Sequence, residues 1–114
     1  MAAYIVLSQP PAGVSADEFN TWYDHHIREI IALPGFIAAE RNELRFLRST
    51  SGNAPPFGYS ARFEIDGDFQ PAWQELRNAV DGGHMTFPDW FAGFSSVGWE
   101  LMPLGGRVAA DRIR

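Results

Sequence analysis

Residues 15–36 read SADEFNTWYDHHIREIIALPGF, and this run carries the clearest structural signals of the chain. Ser15 followed three residues later by Glu18 is a capping box, which predicts the start of a helix. The Pro-Gly pair at 34–35 ends the helix, because the residue before a proline disfavours helical geometry and glycine is common after a last turn. The stretch therefore predicts one helix that runs from the Ser15 cap to about Ala32.

A histidine lies in the middle of the apolar face of this helix. At roughly 100° per residue, the apolar side chains fall in one arc: Phe19, Trp22, Tyr23, Ile27, Ile30 and Leu33. His26 is near the centre of that arc and His25 is at its edge. The pattern leaves two interpretations open. His26 is either a buried, hydrogen-bonded core residue or a general acid/base in an internal pocket, where burial favours the neutral base.

The elements on either side of this helix complete an alternating order. Strands are predicted at 3–8, over the extended segment 36–47, at 58–65 and at 97–102, with a turn region at 49–56. A second amphipathic helix is predicted between Asp68, its expected cap, and the Gly-Gly pair at 82–83. Residues 1–114 therefore form one α+β domain of β-α-β-β-α-β order. This is the ferredoxin-like pattern, a four-stranded antiparallel sheet with two helices on one face.

The second face of that sheet needs a cover that a chain of this length does not supply. We therefore expect a homodimer. The charged residues on the second and third predicted strands would then form ion pairs between strands or between subunits: Arg41, Glu43, Arg62 and Glu64.

The composition excludes several classes of function. The chain contains no cysteine, so disulfides, thiol nucleophiles and thiolate metal sites are absent. It also contains no lysine, since its nine basic residues are all arginine, and Schiff-base chemistry has no residue to use. A net charge of −5 has the wrong sign for a nucleic-acid or anionic membrane surface. The first apolar run is too short for a signal peptide or a membrane span, and we expect a soluble, cytoplasmic protein.

Several other residues are candidates for a site near His26. Tyr59 falls on the apolar face of its strand and offers either a phenol to a substrate or a core ring. Glu40 and Asn42 alternate with Phe36, so they face the helices unless the strand twists them towards water. Flat apolar walls are expected from four aromatic residues: Trp22, Trp73, Phe87 and Trp90.

Metal and cofactor signatures are weak. Glu29 follows His25 by four residues and His26 by three, a spacing that can chelate a metal. The two adjacent histidines diverge by roughly 100° on the helix, however, and a further ligand such as His84 would be needed. No phosphate-binding glycine loop or nucleophile elbow occurs in the chain. We predict neither a metal nor a cofactor.

The stretch from Glu18 to Phe36 resembles the dimeric α+β barrel superfamily, and is most similar to its EthD-like branch. That branch has a Phe, a Trp/Tyr pair, a His seven residues after the Phe, and a Pro-Gly that ends the helix. Six residues match: Phe19, Trp22, Tyr23, His26, Pro34 and Gly35. The runs 82–89 and 103–108 also resemble its bacterial members, although His84 stands where many relatives carry an acidic residue.

The resemblance implies a pocket between sheet and helices, with His26 as its functional histidine. Relatives include lactone isomerases, anthrone dehydratases and decarboxylases, polyketide cyclases and cofactor-free monooxygenases. The expected function is a cofactor-independent isomerase, dehydratase, cyclase or decarboxylase that acts on an apolar oxygenated ring compound. His26 and Tyr59 are the expected catalytic residues. The expected substrate-binding residues are Trp22, Glu40, Asn42, Trp73, His84 and Phe87. A non-catalytic binding protein and a cofactor-free monooxygenase are the alternatives.

Overall fold

Six main elements follow the predicted order along the chain. The computed structural model describes all 114 residues. Its strands are β1 (Ala2–Gln9), β2 (Phe36–Glu43), β3 (Tyr59–Ile65) and β4 (Ser95–Leu101), and its helices are α1 (Ala16–Ile31) and α2 (Phe69–Asp81). Short 3₁₀ turns lie at Asp89–Gly93 and Ala110–Arg112. Neither α1 nor α2 has the length and apolar character that crossing a bilayer requires.

The strands form one antiparallel sheet in the order β2-β3-β1-β4. The two central strands, β1 and β3, are the first and third along the chain, and both helices pack on one face of the sheet. This is the ferredoxin-like β-α-β-β-α-β fold, as the sequence predicts. We call the face that carries α1 and α2 the helix face and the other the open face.

Local chemistry at the helix ends follows the sequence with one exception. The Glu18 N–H donates to Ser15 Oγ at 3.1 Å, which confirms the predicted cap of α1. Gly35 has φ +93° and lies so close to α2 that an added Cβ would be 3.0 Å from the Cβ of Ala72. Both facts require glycine there. Asp68 precedes α2 as predicted, but its side chain makes no capping hydrogen bond.

A β-bulge near the start of β2 decides which residues of that strand face the helices. Phe36 pairs with Ile65 and Ala38 pairs with Glu64, so Ile37 is the extra residue. One extra residue reverses the alternation for the rest of the strand.

Of the two orientations expected for Glu40 and Asn42, towards the helices or towards water, the structure therefore has the second. Both side chains lie exposed on the open face, where Asn42 Nδ2 donates to Glu40 Oε1 at 3.4 Å. Arg41 turns under α1 instead. Regular pairing of β2 also ends at Glu43, not at residue 47. Only the Leu44 N–H continues it, with a 2.7 Å bond to the carbonyl of Gly58.

The expected ion pairs between strands do not form within the subunit. Arg62 pairs with Glu64 of its own strand at 2.6 Å, on the open face. Arg41 pairs with Asp24 of α1 at 3.1 Å. Charges two residues apart on one strand share a face, and this proximity decides the first pair. The bulge decides the second, because it carries Arg41 to the helix side.

Candidate functional site

His26 lies in the last half of α1 and points beneath the helix towards the sheet. Its side chain is 12% exposed. The ring of Trp22, one turn earlier, stacks on the imidazole with ring centroids 4.7 Å apart and an interplanar angle of 15°. The rings of Tyr23 and Phe87 lie at 5.8 and 5.6 Å. The imidazole is thus held in an aromatic frame, at the position that helical spacing predicts.

A carboxylate on the next turn faces the imidazole. His26 Nδ1 is 3.6 Å from Glu29 Oε1, and both atoms are buried with no hydrogen-bond partner in the chain. A slight contraction would make this contact a hydrogen bond, and a charge on the imidazole would favour that contraction. The geometry fits a carboxylate that orients the ring through Nδ1 and leaves the opposite edge for the cavity.

The other oxygen of Glu29 holds the aromatic loop that follows α2. The Thr86 N–H donates to Glu29 Oε2 at 3.2 Å, and Trp22 Nε1 donates to the Thr86 carbonyl at 3.0 Å. Both backbone groups of Thr86 are therefore fixed to α1. This double tether positions Phe87 beside the imidazole.

A largely apolar cavity of about 560 Å³ lies between the helices and the β1–β4 half of the sheet, and His26 is part of its wall. Fourteen of its 19 lining residues are hydrophobic. Its floor is formed by Tyr4, Val6, Phe63, Ser96, Gly98 and Glu100. Its sides include Trp22, Tyr23, His26, Ile30, Phe69, Trp73, Leu76, Arg77, Val80, Phe87, Phe91, Phe94 and Trp99. The size is within the range of small-molecule sites.

The surroundings keep the imidazole neutral near pH 7. Burial lowers the pKa of His26 below its ordinary value, and this effect is larger than the opposing attraction of the Glu29 carboxylate. The neighbouring His25 lowers that pKa further. A neutral imidazole can accept a proton, and the adjacent carboxylate would stabilise the imidazolium that results.

Two tyrosines that the sequence analysis did not select also line the cavity. Burial raises the pKa of Tyr23 to about 12, although the nearby Arg41 charge opposes the shift. Burial also raises the pKa of Tyr4. Both phenols therefore stay protonated at physiological pH and can donate a hydrogen bond.

The structure brings together only some of the predicted site residues. Four line the cavity: Trp22, His26, Trp73 and Phe87. Four do not: Glu40, Asn42, Tyr59 and His84. Glu40 and Asn42 are removed by the bulge in β2, and Trp90, an expected wall, packs behind Trp22 with ring centroids 5.3 Å apart.

Tyr59 and His84 miss the cavity for different reasons. Tyr59 does face the helices, but it lies at the far end of β3, where its ring packs against Phe19 at 4.9 Å and lines a separate cleft with Arg41. His84 lies exposed at the end of α2. Its ring lies over Gly82, where an added Cβ would be 2.7 Å from His84 Cδ2.

Sequence reasoning missed residues whose roles depend on contacts between different helices, strands and loops. Tyr4 shares one face of β1 with Ala2 and Val6, so its orientation could have been assigned once the helix side of the sheet was known. Glu29 was considered only as a metal ligand, although its spacing from His26 also suits an orienting carboxylate. His25 lies 3.8 Å from the same carboxylate, and no group of three or more His, Asp or Glu side chains is arranged to hold a metal.

Comparisons with known proteins bear on the fold alone. No family model matches the chain, and no curated protein matches it. Its structure is similar to the crystal structure of At3g17210 from Arabidopsis thaliana, with a TM-score of 0.70. The two are 8% identical in sequence, and the match covers 95% of this chain and 100% of that one. The likeness therefore supports the ferredoxin-like fold over nearly the whole chain.

Proposed function

We propose that this chain is a small cofactor-independent enzyme that moves a proton on an apolar, oxygenated ring compound. The reaction class is isomerisation, dehydration, cyclisation or decarboxylation, and lactones, aromatics and polyketides are the substrate types. One observation carries the proposal. A buried imidazole, faced by a carboxylate at Nδ1, lines an apolar cavity large enough for such a ring.

In the proposed mechanism, His26 is the base. Neutral His26 takes a proton from the substrate through Nε2, and Glu29 stabilises the charge that develops on the ring from the Nδ1 side. The proton then returns to another atom of the substrate or to its leaving group. The low polarity of the cavity strengthens both interactions, since few water dipoles compete there.

A phenol is the proposed donor to the substrate oxygen. Proton loss from carbon places negative charge on a neighbouring carbonyl oxygen, and a neutral donor aimed at that oxygen lowers the barrier. Tyr59, the residue expected from sequence, lies in a different cleft. We therefore assign this role to Tyr23 or Tyr4, whose raised pKa values keep their hydroxyls protonated.

The aromatic walls set the proposed shape of the substrate. Trp22, Trp73 and Phe87 offer flat apolar surfaces on several sides of the cavity. A planar ring system can stack on such surfaces, whereas a flexible polar molecule would lose hydration without compensation.

We also propose membership of the dimeric α+β barrel superfamily and its EthD-like branch, with a homodimer as the assembly. The fold and the motif from Phe19 to Gly35 support this membership. The open face supports the dimer, because Val97 and Leu101 of β4 lie on it and Leu101 is 36% exposed. The radius of gyration is 16.1 Å, whereas a compact domain of this length has about 13 Å.

The dimer has a direct test. Val97→Glu places a charge on the open face, next to Leu7, and should convert the native dimer to a monomer in analytical ultracentrifugation. Gln70→Glu, at an exposed position of α2, adds the same single negative charge and should leave the dimer intact. A native chain that sediments as a monomer at micromolar concentration would contradict the proposed assembly.

A test of the proposed chemistry does not require the natural substrate. In D₂O, α-protons of 1-tetralone, a flat aryl ketone, exchange slowly, and NMR follows their loss. The native protein should accelerate this exchange, and His26→Phe should lower the acceleration by about 10²-fold or more while keeping an aromatic ring at the site. His25→Phe changes the exposed neighbour in the same way and should retain activity.

The binding-protein alternative has one specific observation in its favour. Glu29 also anchors the backbone of Thr86, so this carboxylate would be needed merely to build the cavity, whereas His26 would not. That alternative predicts that 1-tetralone binds without faster exchange and that His26→Phe binds it equally well. The monooxygenase alternative predicts oxygen consumption with an oxidisable phenol, and the proton-transfer proposal predicts none.

A further inference from the structure

A second, polar cleft lies beside the first half of α1, where Arg41 contacts the ring of Tyr23. It has a volume of about 280 Å³ and shares no lining residue with the His26 cavity. We call it the Arg41 cleft. It is lined by Ala16, Asn20, Arg41, Asn42, Glu43 and Tyr59.

A nearly buried cation forms part of this cleft. The Arg41 side chain is 12% exposed, and its guanidinium carbon lies 4.5 Å from the ring centre of Tyr23, with the rings of Phe19 and Tyr59 at 5.6 and 5.8 Å. Arginine keeps its charge at any physiological pH, so the fold must accommodate a permanent cation here. Ring faces supply part of that stabilisation.

The hydrogen bonds of Arg41 are incomplete. Nη2 donates to Asn20 Oδ1 at 2.8 Å and Nη1 donates to Asp24 Oδ1 at 3.1 Å. Nε is buried and has no acceptor. The Asp24 partner is 64% exposed, so solvent competes for its carboxylate and the pair is easily exchanged.

Other donors around the cleft are also unused. Asn20 gives its carbonyl oxygen to Arg41, so its amide nitrogen is the end left for another partner, and the Tyr59 hydroxyl forms no hydrogen bond within the chain. Ser8, directly opposite Tyr59 in the β1–β3 pairing, is 1% exposed and its hydroxyl has no partner. Buried polar groups without partners are rare in proteins, and two of the four in this chain, Ser8 Oγ and Arg41 Nε, lie near this end of the sheet.

We propose that the Arg41 cleft binds a small carboxylate. The ligand would accept hydrogen bonds from Arg41, from the Asn20 amide and from the Tyr59 hydroxyl, and would take the place of Asp24 at Nη1. The carboxylates of Asp24 and Glu43 flank the cleft and together outweigh the single charge of Arg41, so the ligand must displace Asp24 to be bound. A monoanion therefore fits better than a dianion, because each added negative charge is repelled by these two groups.

The test uses the Arg41 Nε–H resonance of the full-length, ¹⁵N-labelled protein. Sodium acetate and inorganic phosphate are titrated separately, with sodium chloride added to hold the ionic strength constant. Acetate should shift this resonance downfield and saturate, with weaker binding of phosphate at a pH where it is a dianion. The Nε–H of Arg62, which is on the open face, should not follow the same curve.

Two variants probe the donors without removing the cation. Tyr59→Phe and Asn20→Ala should each weaken acetate binding by about 5- to 30-fold, and Thr21→Ala, at the exposed neighbour of Asn20, should leave it unchanged. His26→Phe should also leave it unchanged, which separates this site from the proposed reaction. The proposal is overturned if acetate gives no saturable shift, if phosphate binds more tightly, or if both donor variants bind acetate as the native chain does.

Discussion

His26 and Arg41 both contact Tyr23, but the fold accommodates the two basic side chains in different ways. Both side chains lie beneath α1. His26 can release its proton, so an apolar cavity keeps it neutral and leaves it able to accept one. Arg41 cannot, so the fold surrounds it with ring faces, an amide and a carboxylate. A base that can lose its proton thus tolerates an apolar cavity, whereas a permanent cation requires hydrogen-bond acceptors and ring faces.

The largest expected effect comes from reversing the facing of β2 after its bulge. Insertion of one alanine between Ala39 and Glu40 shifts the pairing of the following residues by one, which turns Glu40 and Asn42 towards the core and Arg41 to the open face. We expect a loss of more than about 4 kcal/mol of stability, or no folded protein. Circular dichroism and urea unfolding measure it.

A substitution in the same strand is the control. Ile37 is 51% exposed, and Ile37→Thr keeps the extra residue and a β-branched side chain. It should change stability by less than about 1 kcal/mol. An insertion variant as stable as this substitution would show that pairing with β3 does not fix the facing of β2.

The bulge also shows where sequence reasoning succeeds and where it stops. The capping box, the apolar arc of α1 and the element order are local signals, and each predicted its element. The facing of β2 depends on pairing with β3, which no alternation within 36–47 can reveal. The cavity walls Trp22, Trp73 and Phe87 were predicted because large aromatics rarely lie free in water. Glu29 and Tyr4 were missed because their roles exist only once the helix lies on the sheet.

A substitution of Arg41 tests whether the cation stabilises the fold. Arg41→Met keeps the side-chain length but removes the ring contacts and both hydrogen bonds. We expect a loss of about 2–4 kcal/mol in urea unfolding. Arg28→Met, at an exposed position of α1, should change stability by less than about 0.5 kcal/mol. Equal effects of the two variants would mean that Arg41 is no more than a surface charge.

Acidification tests the neutral state of His26 and should have a smaller effect. The folded-state pKa is lowered, so below about pH 6.5 the unfolded chain binds a proton that the folded chain resists. Stability should therefore fall by about 1 kcal/mol as the pH drops from 7 towards 5. His26→Phe should remove this part of the dependence in urea titrations, and His25→Phe should keep it. A native curve parallel to that of His26→Phe would refute the lowered pKa of His26.

Glu29→Gln tests the contact between the Glu29 carboxylate and the His26 imidazole and has the smallest expected effect. The Glu29 carboxylate raises the His26 pKa, so its removal should lower that pKa further. Glutamine keeps an oxygen that can accept the Thr86 N–H, so the loop should stay in place. The imidazole Hε1 shift followed against pH gives the value, with Glu75→Gln on α2 as control. An unchanged pKa would remove Glu29 from the proposed mechanism.

The most direct test of the account is the protonation state of the His26 imidazole, read from its two ¹⁵N shifts at neutral pH. A base oriented by Glu29 should be neutral, with its proton on Nδ1 towards the carboxylate and Nε2 bare towards the cavity. That result would leave Nε2 ready to accept a proton from a bound ring. An imidazolium at pH 7, or a neutral ring with its proton on Nε2, would contradict the proposed role of His26.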